Sequence, residues 1–346
     1  MRSLSSAMVS LSHRECIHCP KPGRNLEKTT PARNHGDTAF PGWVSALIRS
    51  ECLPDAYAQS VPEHIAPLAR RTYALYTAKE RPIVVGIAGA QGSGKTTLAL
   101  FLEHWLRREE GLRCATLSLD DVYLGHAQRQ RLARRVHPLL ATRGVPGTHD
   151  VALAEALLDD LARNGGRHVV KLPVFDKARD DRAPAATWPT LEAPVDVVLF
   201  EGWCVGACPQ LDADLQPPVN ELEAREDPDG RWRRYANQCL AGDYARLFSR
   251  LDALVMLRVP SFERVLEWRR LQEQKLRARL SEQTAGTDSP TVLSDAGVAR
   301  FTRHFERLTR HMLKTMPARA NTVIDVDDEH RLAARRDRDW VPNTRR

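Results

Sequence analysis

Eight residues, GAQGSGKT at 89–96, constrain this chain more than any others. They fit G-x-x-x-x-G-K-[S/T]. In that pattern glycines let backbone N–H groups turn toward phosphate oxygens, the lysine reaches the β and γ phosphates, and the final hydroxyl binds Mg²⁺. The pattern carries this meaning only between a strand and a helix, and both flanks are present. RPIVVGIAG before it is a β-branched apolar run, and LALFLEHWLRREEG after it is apolar on one face and closed by Gly111. Nucleotide contacts are therefore expected from Gly89, Ala90, Gln91, Gly92, Ser93, Gly94, Lys95, Thr96 and Thr97, with Lys95 on the phosphates and Thr96 on the metal.

The alternation continues downstream. LRCATLSLDD reads as a strand ending in acids, ALAEALLDDLARNGG as a helix, and RHVVKLPVFD, PVDVVLFEG and LDALVMLRVP as further strands. Apolar β runs alternating with amphipathic helices predict an α/β fold: a parallel sheet of about five strands covered by helices on both faces. A polar, tryptophan-bearing insertion spans roughly 207–248, and NTVIDV at 321–326 reads as a final strand. The organisation expected is a disordered tail over 1–40, a helical preface over 41–80, a nucleotide-binding domain over 81–330 with a charged helix at about 261–280, and a basic tail over 331–346.

The formal charge of +7 raises the question of a nucleic-acid partner, which its distribution answers. Residues 1–40 carry +3 and residues 331–346 carry +4, so the stretch between them is neutral. A neutral body argues against a basic nucleic-acid groove. No apolar run reaches the roughly 18 residues of a membrane helix, and no secretory core is present, so neither a membrane nor an export route is expected. Seven scattered cysteines fit a reducing compartment, here the cytoplasm, better than a disulfide framework. Cys16 and Cys19 form one C-x-x-C, with no second pair to complete a zinc site.

Two strand ends carry acids, and such ends line the ligand crevice of an open α/β sheet. SLDD at 118–121 places Asp120 and Asp121 together; the pair suits a base for a substrate hydroxyl and a ligand for Mg²⁺ or water, or one of the two caps a helix. Glu201, at the end of the apolar strand DVVLFEG, suits a metal or water contact, and Gly202 beside it suggests a close backbone approach. Two loops hold a basic cluster, Arg143 and His149 in TRGVPGTHD and Lys177, Arg179 and Arg182 in FDKARDDR, while Thr148 and Asp150 suit contacts to hydroxyls. A small anionic acceptor needs such donors, while Asp176, Asp180 and Asp181 also offer them partners.

With LSLDDVYL, HPLLATRGVPGTHDV, LPVFDKARDDRAP, DVVLFEGWCVG, PSFERVLEWRRLQEQKL and FTRHFERLTRHMLKTMP in order over about 83–326, the chain resembles P-loop kinases of the uridine kinase, phosphoribulokinase and pantothenate kinase group. Within that group it is most similar to the plant and fungal D-glycerate 3-kinase family. The resemblance implies ATP- and Mg²⁺-dependent transfer of the γ-phosphoryl group to the 3-hydroxyl of D-glycerate. It implies Asp120 as base, and an arginine of the lid helix, Arg269 or its neighbour Arg270, approaching the moving phosphoryl group. Thr96, Asp121 and Glu201 are expected around Mg²⁺, and Arg143, Thr148, His149, Lys177 and Arg182 around the acceptor. Val122 departs from the family's usual Phe, which puts one pocket wall in doubt. Two rival readings remain: the same chemistry on pantothenate or a nucleoside, and an ATP-switched partner-binding protein.

Overall fold

Every residue of IVVGIAG is buried, as a strand covered on both faces requires. Its side chains alternate. Val85 and Ile87 enter one apolar layer, and Val84 and Ala88 enter the layer on the opposite face. The structure, a computed structural model, describes residues 40–163, 165–283 and 294–340. The reading of residues 1–39, Cys16 and Cys19 included, lies outside the described residues.

In chain order the helices α1 (Gly42–Ser50) and α2 (Ala66–Lys79) precede β1 (Ile83–Gly89), α3 (Lys95–Arg108), β2 (Cys114–Ser118), α4 (His126–Arg135) and α5 (Val151–Ala162). Four short strands follow: β3 (His168–Lys171), β4 (Phe175–Asp176), β5 (Asp181–Arg182) and β6 (Thr190–Ala193). Then come β7 (Val197–Gly202), α6 (Glu221–Glu226), α7 (Arg231–Cys239), α8 (Ala245–Phe248), β8 (Ala253–Arg258), α9 (Phe262–Gln283), α10 (Asp295–Thr315), β9 (Thr322–Val326) and β10 (Leu332–Asp337).

The main sheet has the order β10-β9-β8-β1-β7-β2. Its five strands from β2 to β9 are parallel, as expected, and β10 is antiparallel. One layer packs Val44, Leu68, Leu98 and Phe101 on the sheet, and the other packs Leu157, Leu158, Leu247 and Met312. The chain leaves β1 for β2, skips a slot that β7 later fills, and afterwards crosses to β8 on the other side of β1. That change of direction puts the crevice above the carboxyl ends of β1, β7 and β2.

Two expectations are corrected. RHVVKLPVFD does not enter the main sheet; β3 pairs with β6 in a separate two-stranded sheet, and β4 with β5 in another. Val169 is 67% exposed, so only one face of this run is covered and a buried parallel strand is excluded. The segment read as a basic tail from 331 supplies β10, with Leu332 and Trp340 buried and Arg336 paired with Asp325 on the neighbouring strand. Charged side chains are how an edge strand stays unpaired with other chains. Cys114, Cys204, Cys208 and Cys239 are free, whereas Cys52 is disulfide-bonded, so the cysteine pattern does not by itself assign a compartment. Among the described residues no helix is long and apolar enough to cross a membrane.

The insertion at 207–248 builds a third, smaller core. Trp232 and Leu222 pack there with Leu132, Leu139, Leu140 and Val145. This core lies under the loop TRGVPGTHD and holds it from below.

Candidate active site

The phosphate loop runs from Gly89 to Lys95, where α3 begins. Gly92 and Gly94 have φ of 78° and 87°, a left-handed backbone that L side chains rarely adopt. A Cβ on Gly89 would collide with the Ser93 side chain, so the loop closes this tightly only with glycine at that position. Ser93 Oγ and Gln91 Oε1 are buried without hydrogen-bond partners among the described residues, which leaves polar groups here for a ligand. Trp268 of α9 lies beside Gly92, 3.8 Å from where a Cβ would be. The helix expected as a lid thus begins over the phosphate loop. Its Arg269 is half-buried and already has an interaction partner.

The acids come together through strand register. Ser118 of β2 is opposite Glu201 of β7, which is opposite Ile87 of β1, two residues before the loop. Thr96 Oγ1 donates to Glu201 Oε1 at 3.2 Å, while Glu201 Oε2 is buried and has no partner among the described residues. Burial pushes the Asp121 carboxyl up to about 6, with Asp120 and Glu201 adding to the shift and the Phe175 N–H and Lys177 opposing it. Hard oxygen donors, an orphaned carboxylate oxygen and an acid crowded by like charge fit a divalent cation. Among the described residues no three His, Cys, Asp or Glu side chains form a closed cage. Mg²⁺ is usually held by one or two carboxylates together with phosphate oxygens and water, and Asp121, Glu201 and the Thr96 hydroxyl offer oxygens of that kind.

Asp120 is gripped from both sides. Tyr123 Oη donates to one carboxylate oxygen at 3.0 Å and Lys177 Nζ to the other at 2.8 Å. Burial alone would raise this carboxyl, but Lys177 and Lys95 outweigh it and hold it well below the usual carboxylate range. It is therefore an ionised acceptor at any physiological pH. Tyr123 was not singled out from the sequence, although it lies within the LDDVYL block.

The loop TRGVPGTHD is bonded directly to this corner. Leu124 N–H donates to the Thr148 carbonyl, and Asp150 N–H to the Val122 carbonyl. Gly144, at φ 135°, receives the Trp203 indole N–H on its carbonyl and leaves no room for a Cβ against Phe305. Thr148 is fully buried; its hydroxyl donates to the Val145 carbonyl and accepts from the Gly144 N–H. Its one proton holds the loop rather than a ligand. Arg143 is buried as well, its guanidinium paired with Asp180 beside the Phe175 ring. Arg129 meets the same carboxylate at 2.9 Å, because a buried acid needs this compensation. Arg182 bonds the Tyr123 carbonyl and Asp150, the residue that caps α5, yet its Nε is buried with no partner among the described residues. Arg179 lies out on the surface against Asp176.

His149 is 4% exposed and stacks on Tyr123 at 4.4 Å between centroids. Lys177 thus bonds Asp120, His149 stacks on the Tyr123 ring that also bonds it, Arg182 has a further donor at Nε, and Arg143 and Thr148 brace the loop. His304 and Arg310 belong to helix packing: His304 meets Trp232 edge-on, and Arg310 pairs with Glu306 and with Glu263 of α9.

A glycine-built phosphate loop at a sheet's central strand, facing acids on two neighbouring strand ends, defines a P-loop kinase. No family model matches the chain. It is 34% identical over 238 residues to an uncharacterized kinase of Schizosaccharomyces pombe, covering 65% of this chain and 79% of the relative. It is 31% identical over 265 residues to the chloroplastic D-glycerate 3-kinase of Arabidopsis thaliana, covering 72% of this chain and 53%, about half, of that protein. In three dimensions it is similar to D-glycerate 3-kinase from Cryptococcus neoformans, with a TM-score of 0.63, 24% identity, and coverage of 79% of this chain and 99% of the other. The chain belongs to the branch of P-loop kinases that includes the D-glycerate 3-kinases, phosphotransferases with an alcohol group as acceptor.

Proposed function

We propose that this enzyme transfers the γ-phosphoryl group of ATP to the 3-hydroxyl of D-glycerate, giving 3-phosphoglycerate. The observation that carries the reading is Asp120, its carboxylate bonded by Lys177 and Tyr123 at the strand end to which TRGVPGTHD is also bonded. The D-glycerate 3-kinase relatives support the choice of acceptor.

The backbone of residues 89–97 and Lys95 hold the phosphates. Thr96, Asp121 and Glu201 hold Mg²⁺, which when bound supplies positive charge at the phosphate oxygens. Asp120 accepts the hydrogen of the acceptor hydroxyl and aims its oxygen at the γ phosphorus. Phosphoryl transfer passes through a loose transition state, so a weakly basic carboxylate suffices: it orients the hydroxyl first and takes the proton late. Lys177, Arg182 and His149 meet the acceptor's carboxylate and remaining hydroxyl, and Arg143 and Thr148 keep the loop in shape. Arg269 approaches the transferring group from α9, where it stabilises the charge of the transition state.

The test is ADP release over a panel of acceptors, with D-glycerate, L-glycerate, pantothenate and uridine at equal concentration. D-Glycerate should give the highest kcat/KM. An equal or higher value for pantothenate or uridine overturns the substrate, and no stimulation by any acceptor overturns the enzyme reading in favour of an ATP-switched binding protein.

A further inference from the structure

The insertion contributes one group that no motif points to. Tyr244, buried on the segment between α7 and α8, has its hydroxyl 2.5 Å from Nδ1 of His149 and accepts the Gly147 N–H at 3.0 Å. On the far side of the same imidazole, Nε2 is buried and has no partner among the described residues. The ring is held flat by Tyr123 on one face, and Tyr123 in turn bonds Asp120, so the imidazole borders the reacting corner.

We propose that Tyr244 is a positioning residue: its hydroxyl donates to Nδ1 of His149 and thereby fixes the Nε2–H tautomer, so that a neutral N–H donor faces an oxygen of the acceptor beside Asp120. Proton accounting supports this direction. The phenol oxygen already accepts from Gly147, and Nδ1 is the one acceptor within reach of its hydrogen among the described residues. Were Nδ1–H the donor instead, the phenol hydrogen would be buried without a partner, which is costly. Burial keeps the Tyr244 phenol protonated, and burial also pushes His149 down to about 3, against the pull of Asp120, so the imidazole is neutral. A neutral donor has a distinct use here. It binds an acceptor oxygen without adding a third cation to the two lysines that already hold Asp120 ionised.

The role as an acceptor-side donor rests on the kinase reading above; the tautomer does not. Protein labelled with ¹⁵N-histidine, with no substrate bound, gives long-range ¹H–¹⁵N correlations whose pattern reports the tautomer, and His149→Gln identifies the His149 signals. The wild type should show Nε2–H, and Tyr244→Phe, which keeps the ring and its packing, should lose that fixed pattern. In kinetics, Tyr244→Phe should raise the acceptor KM about tenfold, with the KM for ATP changed by less than about twofold. An Nδ1–H pattern in the wild type, an unchanged pattern in Tyr244→Phe, or an equal rise in both KM values overturns the proposal. The wild-type spectrum decides the tautomer even if the variant does not fold, and it does so whichever acceptor the panel selects.

Discussion

At the scale of single residues, the two aspartates of SLDD do different work although they are adjacent. Asp120 carries a lysine and a phenol and stays ionised; Asp121 is buried toward Glu201 and is pushed up. Asp120→Asn keeps the shape and the two donors nearby but removes the proton acceptor. It should lower kcat by about 10²- to 10⁴-fold while titration with a fluorescent ATP analogue gives an unchanged Kd; full turnover in this variant would remove Asp120 from the chemistry. Arg143 illustrates the opposite lesson. An arginine in a glycine-rich loop near a kinase site reads as a substrate clamp, yet its charge is taken by Asp180, a buried residue 37 positions away. Sequence does not reveal that pairing, because Asp180 looks like one of several surface acids in FDKARDDR. Arg143→Ala leaves Arg129 to hold the carboxylate, so the loss should be about 2–3 kcal/mol in urea unfolding, below the roughly 3–5 of a fully broken buried pair. Unchanged stability would show that the pair is not a structural anchor.

At the scale of elements, what was legible followed the apolar period. β1, β2, β7, β8 and β9, with α3, α5 and α9, stand where the pattern predicts them, and the phosphate loop and strand-end acids follow from their order; α6, α7 and α8 were read only as a polar insertion. The β3–β6 hairpin was misread because RHVVKLPVFD has the composition of a buried strand, while its partner TLEA lies outside any motif. β10 was missed for the reverse reason: an edge strand presents arginines, and arginines beside a terminus look like a tail. Tyr244 carried no signal, since it reaches the site only through the fold of the insertion. α10 yields a prediction at this scale. His304 donates from Nδ1 to the Arg300 and Phe301 carbonyls, its ring meets Trp232 of α7, and its Nε2 is buried with no partner among the described residues. Burial pushes it down to about 4, with Arg300 adding to the effect and the two carbonyls opposing it. The unfolded state therefore binds the proton more tightly, with a pKa of about 6.5. Stability from this group is complete above about pH 6.5 and is lost as pH falls toward 4, at up to about 1.4 kcal/mol per pH unit. Unfolding of the wild type and His304→Gln at a series of pH values isolates this contribution from the other histidines: the gap between the two should narrow as the solution is acidified from pH 7 to pH 4.5. A gap constant with pH would contradict the assignment.

At the scale of the whole molecule, the sheet brings a glycine-built phosphate loop and two acidic strand ends to one edge, TRGVPGTHD is bonded beside them, and its Val145 packs into the small third core. Among the described residues, arginines at and beside the C-terminal edge strand, Arg331, Arg335 and Arg336, are in ion pairs. The central claim is that the edge joins ATP to the primary hydroxyl of a small hydroxy acid. The most direct measurement is ³¹P NMR of the products from ATP, Mg²⁺ and D-glycerate. The proposed function predicts a phosphomonoester at the 3-position, formed in equal amount to ADP. A 2-phosphate, or ADP accompanied only by inorganic phosphate, would contradict the account.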